Sequence, residues 1–304
     1  VLLGTSTGGD AVTRKHPHAG LTGYKRDFVK LVHDLVREGG RNHREVFSDF
    51  VELAFCTFAK ITRIGERADE MEARYMRTAS ARSHAYVARM PELMGMMTLA
   101  LREQPCDFLG SIAGELDVLS EGMGQFFTPF ELSLTMADLT FDEGAEQLIK
   151  ERGFLTVGEP ACGSGGMVLA LAEVLARRGF DPCTSMFVQA TDLSVTAFQM
   201  AYVQLSVRGL AADVIHGNTL TLEQFGGEIT PGKLAFMVHH GERWKVYAAR
   251  GSFKPMLEPN DRAIPPHPAP GDPAPRAPRR AEQTALAFDD SAWAQPAREG
   301  SGAR

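Results

Sequence analysis

The stretch from Phe154 to Ala176 constrains the fold more than any other part of the chain. An apolar run, Phe154-Leu155-Thr156-Val157, leads into Glu159-Pro160-Ala161-Cys162-Gly163-Ser164-Gly165-Gly166 and then into the helix-forming series Met167-Val168-Leu169-Ala170-Leu171-Ala172. That order reads as a strand, a tight turn and a helix. Small residues in such a turn let the backbone come close to a ligand, and the free amides of the helix's first turn can hold a carboxylate or phosphate. The alternation continues. Residues 154–161 are expected as a first strand, 165–178 as a helix, 186–192 as a second strand, 194–207 as a second helix and 213–216 as a third strand. This pattern predicts an α/β fold with a parallel sheet and crossover helices, and ligands of such sheets bind at the carboxyl ends of the strands.

The side chains expected at those ends suit a nucleoside with a charged tail. Gly163, Ser164, Gly165 and Gly166 would form the close-approach turn beneath the tail, and Asp192, about thirty residues on, is placed to accept hydrogen bonds from both ribose hydroxyls. Asn218 follows the third strand in His216-Gly217-Asn218-Thr219-Leu220 and carries both an acceptor and a donor, which can pair with an adenine edge. Taken singly, each has a structural alternative: a bend, a helix cap and a turn residue. Their order at three successive strand ends favours the ligand site over three unrelated turns.

The remaining chain divides by composition. Residues 1–22 are polar and expected to be disordered, and 23–120 are expected as an all-helical subdomain. Within it, Phe28, Leu31, Val32 and Leu35 recur at helical spacing before Gly39-Gly40, and Asn42 with Glu45 resembles a capping box opening the next helix. Further helices are expected over 66–79, 92–102 and 107–119. Met90, Met94, Met96 and Met97 read as flexible core filling. Arg63, Arg67, Arg74, Arg77, Arg82 and Arg89 form either a stripe for DNA phosphates or a solvated face paired with Glu66, Asp69, Glu70 and Glu72. The four cysteines, Cys56, Cys106, Cys162 and Cys183, are widely spaced, so neither a metal site nor a disulfide framework is expected. A net charge of -6 argues against bulk attraction to nucleic acid and leaves a local basic face open. With no apolar run near the length of a membrane span, a cytoplasmic location is the default expectation.

At this point the chain resembles the N6-adenine-specific DNA methyltransferases found as modification subunits of type I restriction-modification systems. Asp107-Phe108-Leu109-Gly110 and then Gly124-Gln125-Phe126-Phe127-Thr128-Pro129 match the family's paired segments, and Glu159 to Gly166 matches its Asp-Pro-Ala-Cys-Gly-Ser-Gly-Gly loop with Glu in the first place. The resemblance implies a Rossmann-like class I S-adenosylmethionine-dependent methyltransferase fold over 121–257, truncated after its third or fourth strand. It also implies S-adenosylmethionine as cofactor, held by Gln125, Phe127, Thr128, Pro129, Glu159, Gly163, Ser164, Gly165, Gly166, Asp192 and Asn218, with Thr128 on the methionine carboxylate. The implied partner is DNA, and a specificity subunit, a completing subunit or a homodimer would cover the open sheet edge. No residue receives a catalytic role, because the family's Asn/Asp-Pro-Pro-Tyr/Phe segment, which holds the target amino group and stacks on the flipped base, does not occur here. After Leu220 the residues 234–239 and 244–249 are expected as a short hairpin across Gly241-Glu242. The reading of a different class is a catalytically inactive S-adenosylmethionine- or DNA-binding interaction protein of a DNA modification or mobile-element complex.

The final segment, 258–304, is Pro/Ala-rich and expected to be disordered. Within it, Gln283-Thr284-Ala285-Leu286-Ala287-Phe288 weakly resembles the peptides that dock on bacterial sliding clamps.

Overall fold

A four-stranded mixed sheet organises the computed structural model, which describes residues 21–39, 41–118 and 127–249. Six helices and one short turn of helix come first: α1 (Leu21–Gly39), α2 (His43–Ile61), α3 (Glu66–Ser80), α4 (His84–Val87), α5 (Met90–Glu103), α6 (Phe108–Glu115) and α7 (Phe130–Thr140). Then follow α8 (Glu143–Arg152), β1 (Leu155–Glu159), α9 (Gly166–Arg177), α10 (Pro182–Ser185), β2 (Met186–Asp192), α11 (Val195–Val207) and β3 (Ala211–Asn218). The described chain closes with β4 (Glu223–Ile229), α12 (Pro231–His240) and α13 (Glu242–Ala249). The expectations for residues 1–20, for Gln125 and for the tail, including the sliding-clamp-like peptide, lie outside the described residues.

The fold is Rossmann-like α/β. Strands β1, β2 and β3 pair in parallel in that order, with Glu159 opposite Ala190 and Asp192 opposite His216, while α9 and α11 make the crossovers. Beyond β3 the sheet gains a strand that the sequence did not advertise. The link 219–222 is too short for a crossover, so β4 returns antiparallel to β3, with an irregularity between His216 and Gly217. Leu222 takes a left-handed conformation, φ 58°, to close that return.

Strand alternation separates two apolar layers. Met186, Val188, Ala190, Ala212 and Val214 join the larger core, which runs without a break through α9 and α11 into α1, α2, α5 and α6. Phe55 of α2 meets Phe198 and Tyr202 of α11 edge-on, with ring centroids 5.4 and 5.1 Å apart. On the other face, Phe154, Phe187 and Ala211 pack against Phe236 and Trp244 from α12 and α13. These two helices replace the expected hairpin. Thr230 precedes Pro231 at the first helical position, and Phe236, His240 and Trp244 then recur every four residues, a helical rather than an alternating period.

The helical N-terminal segment is tied to the sheet by charge as well as by packing. Arg74 of α3 is buried in a two-pronged pair with Glu52 of α2, which also accepts from Gln199 Nε2 of α11 at 2.6 Å. Arg63 reaches across to Glu228 of β4, whose side chain is fully buried. Arg82 pairs with Asp49 and Arg89 with Glu92. Arg63, Arg74, Arg82 and Arg89, four members of the expected stripe, are therefore held in specific ion pairs, and Arg63 and Arg74, the most buried of these four, serve the interior. The expected capping box at the start of α2 is present, with Asn42 Oδ1 accepting from the Glu45 amide and Glu45 Oε2 accepting from the Asn42 amide, both at 2.9 Å.

Candidate functional site

The three parallel strands end side by side at Glu159, Asp192 and Asn218, and the backbone between them is cross-linked there. The amide of Cys162 donates to Thr191 O at 2.9 Å, and the amide of Gly163 donates to Asp192 Oδ2 at 2.8 Å. Asp192 Oδ1 accepts from the Ser194 amide at 2.8 Å, at the start of α11. Thr219 Oγ1 donates to Pro160 O at 2.6 Å, which joins the segment after β3 to the turn after β1. Asn218 Oδ1 accepts from the amides of Leu220 and Thr221. Both carboxylate oxygens of Asp192 and the Oδ1 of Asn218 thus shape the loops at whose ends the sequence expected ligand contacts, and both residues remain half-buried rather than sealed.

The two motif segments meet. Gly163 has φ +55°, and a Cβ built on it would lie 3.0 Å from Cδ1 and 3.1 Å from Cε1 of Phe127. The Phe127 ring therefore lies against the turn, while Thr128 and Pro129 stand exposed immediately before α7. Gly165 and Gly166 are buried at the start of α9, where the turn closes with the Gly165 amide donating to Cys162 O at 2.8 Å. Glu159 Oε1 accepts from the Ala161 amide at 3.3 Å. Ser164 behaves differently from its neighbours. It is 2 % exposed and its hydroxyl donates inward to Asp107, so its side chain is not offered to a ligand at the turn.

Electrostatics at the strand ends follow from burial. Desolvation pushes the Asp192 carboxyl above its usual range, against the pull of the Ser194 and Gly163 amides and of His216. A carboxylate in that position gains from further hydrogen-bond donors. Burial also depresses His216, whose Nε2 faces Leu193 O at 3.1 Å, and His240, whose Nε2 faces Thr184 O at 2.7 Å. The unfolded chain takes up protons at these rings below the ordinary value of 6.5, whereas the folded chain resists them. Their contribution to stability is consequently present above 6.5 and lost as the pH falls toward their lower folded values. Thermal unfolding is expected to move to lower temperature between about pH 7.5 and about pH 5.5, and to move less in His216→Gln. Equal shifts in the two proteins would remove His216 as a cause.

Burial pushes the thiols of Cys56 and Cys106 up to about 12 and that of Cys162 well above its ordinary range, so none of the three supplies a thiolate nucleophile. Among the described residues, no group of three or more His, Cys, Asp or Glu is arranged to hold a metal ion, and no helix is long and apolar enough to cross a membrane.

Residues that the reading of the sequence left without a role lie directly behind the turn: Asp107, whose segment it noted, and Gln204, which it passed over. Their signal was weak, since one of two glutamines in a largely apolar helix has no local pattern to mark it.

Residues 115–249 match the family described as N-6 DNA methylase. Among solved structures, the chain is similar to a protein of Listeria monocytogenes described as a class I S-adenosylmethionine-dependent methyltransferase, at 12% sequence identity and a TM-score of 0.31. That similarity covers 62% of this chain and 51% of the other, so the chain spans about half the length of the structure it matches, and at this score it carries no weight for function. No curated protein matches.

Proposed function

We propose that this chain, an N-6 DNA methylase relative over residues 115–249, binds S-adenosylmethionine at the carboxyl ends of β1, β2 and β3 and serves methyl transfer to N6 of adenine in DNA. The observation that carries the reading is the contact of Phe127 with Gly163, whose amide is held by Asp192. Two segments far apart in sequence and a strand-end carboxylate converge there on one small region. The residues suit the cofactor. Gly163 carries no side chain to separate the turn from the Phe127 ring, the half-buried Asp192 gains from the two donors of a ribose, and Asn218 at the third strand end can pair with an adenine edge. Thr128 and Pro129 are exposed beside the turn, where Thr128 can donate to the methionine carboxylate. S-adenosylmethionine supplies the methyl group, and the role of these residues is to hold and orient it.

A second reading is favoured by one specific observation. The sequence contains no Asn/Asp-Pro-Pro-Tyr/Phe segment, and after Asn218 the described chain turns back at once into antiparallel β4. The groups that would hold a target amine are thus unassigned. On this reading the chain is a cofactor- or DNA-binding component without transfer activity of its own, or one completed by a specificity or completing subunit.

Calorimetric titration with S-adenosylmethionine and S-adenosylhomocysteine tests the shared premise. Saturable binding is expected, weakened at least about tenfold in Asp192→Asn, which keeps an acceptor for one of the two backbone amides, turns an NH2 toward the other and loses the charge. Absence of binding at about millimolar ligand would sink both cofactor readings. Methyl transfer to adenine-containing DNA by the protein alone supports the first, and binding without transfer supports the second.

A further inference from the structure

Ser164 turns away from the strand ends into a buried hydrogen-bonded unit built from three distant parts of the chain. Its hydroxyl donates to one carboxylate oxygen of Asp107, the residue that precedes α6. The other oxygen of Asp107 accepts from the Gly110 amide at 2.9 Å and from Gln204 Nε2 at 2.8 Å. Gln204, fully buried on α11, donates a second time to Ser164 O at 2.8 Å, and its own Oε1 accepts from the Leu109 amide at 3.0 Å. Every polar atom of the Gln204 amide group is thereby spent on linking α6 to the glycine turn.

The link is tight as well as saturated. A Cβ on Gly110 would come within 2.6 Å of Ser164 Oγ and would also collide with the Asp107 carboxylate, and one on Gly166 would stand 3.1 Å from the same carboxylate. Gly110 therefore lets α6 sit directly against residues 164–166. Asp192 holds the turn from the front through the Gly163 amide, and Asp107 with Gln204 holds it from behind.

From this arrangement we propose that Asp107, Gln204 and Ser164 are positioning residues that fix the direction of the Ser164 and Gly166 amides in the turn, those of Gly163 and Gly165 being held by Asp192 and Cys162 O, and so set the affinity for a ligand's carboxylate tail. The identity of that ligand rests on the S-adenosylmethionine reading above. The fixing of the turn does not. The helical N-terminal segment becomes, through α6, a working part of the cofactor site rather than a neighbouring support.

Ser164→Ala is the least disruptive probe, because it deletes one buried hydroxyl and leaves every backbone group in place. Asp107→Asn, which preserves shape and an acceptor for the Gly110 amide, is the second. Each would be titrated with S-adenosylhomocysteine and with 5′-deoxy-5′-methylthioadenosine, which has the nucleoside but lacks the carboxylate. Hydrogen exchange of the peptide covering the turn would be followed without ligand.

Faster exchange confined to the turn is expected, together with a loss of about tenfold in affinity for S-adenosylhomocysteine and little change for the analogue without the tail. A purely structural role would weaken both ligands together or shift exchange throughout the core, and would overturn the assignment. So would unchanged exchange and affinity in both variants. If the unaltered protein binds neither ligand, the cofactor reading fails, and exchange alone decides whether the turn is fixed from behind: faster exchange limited to it upholds the bracing, and unchanged exchange overturns it.

Discussion

Gly163→Val is expected to abolish binding of S-adenosylmethionine and S-adenosylhomocysteine, lowering affinity by more than about a hundredfold while the protein stays folded. Two effects act in the same direction. The position has φ +55°, a conformation that costs a side chain with a Cβ roughly 1–2 kcal/mol and a β-branched one more. The first carbon of the new side chain would also stand at 3.0 Å from the Phe127 ring, so the ring and the Thr128-Pro129 segment behind it must shift. Relaxing the backbone instead redirects the Gly163 amide away from Asp192, which undoes the link between the first and second strand ends. Either path removes the close approach on which the site depends. The turn lies at the edge of the core and not within it, so the melting temperature should fall by only about 3–8 °C. Gly163→Ala should lie between the two proteins in affinity. Calorimetry with S-adenosylhomocysteine and a thermal melt on the same preparation check the prediction, and an affinity equal to that of the unaltered protein would refute the placement of the cofactor at this turn.

The site was legible in outline because its elements have strong local signatures. Glycines between an apolar run and a helix can mean little else than a turn, and Met186–Asp192 reads as a strand because β-formers there are buried on both faces. Three of the elements that escaped have buried faces that are largely polar or small. β4 has the sequence Glu-Gln-Phe-Gly-Gly-Glu-Ile, with Glu228 sealed against Arg63, so it shows no alternation of apolar residues. The buried positions of α12 are Gly232, Lys233, Phe236 and His240, and only one of them is apolar. In α7 the buried residues are Ser133 and Ala137, whereas Leu132, Met136 and Leu139 are exposed, which inverts the pattern that marks a helix. Ser164 shows the same limit at the scale of one side chain. Its place in a glycine turn at a strand end suggested a ligand contact, and only the convergence of α6 and α11 behind it reveals that its hydroxyl is committed to Asp107. Long-range partners of this kind leave no periodic trace.

The same feature that hid α12 makes it the site of the largest expected loss of stability. Lys233 on α12 and Asp213 on β3 form an ion pair with both side chains fully buried, and the ammonium lies 5.4 Å from the centroid of the Phe187 ring. Burial draws the lysine below its ordinary range, and Asp213 pulls it back up, so the cation persists because the carboxylate faces it. Lys233→Ala strips that carboxylate of its cation where water cannot replace it, and opens a cavity between α12 and the sheet. A loss of about 3–5 kcal/mol is expected. For a protein of this size that corresponds to a fall of about 6–20 °C in melting temperature. The pair itself need not be strongly stabilising, since its Coulomb energy is set against the desolvation of two charges. The double variant Lys233→Met with Asp213→Leu should therefore recover most of the loss, because it leaves no charge to desolvate and fills similar volume. Equilibrium denaturation of the two single variants and the double variant separates the terms. If the double variant were as unstable as the sum of the singles, the packing of α12 and not the stranded charge would be the source of the loss.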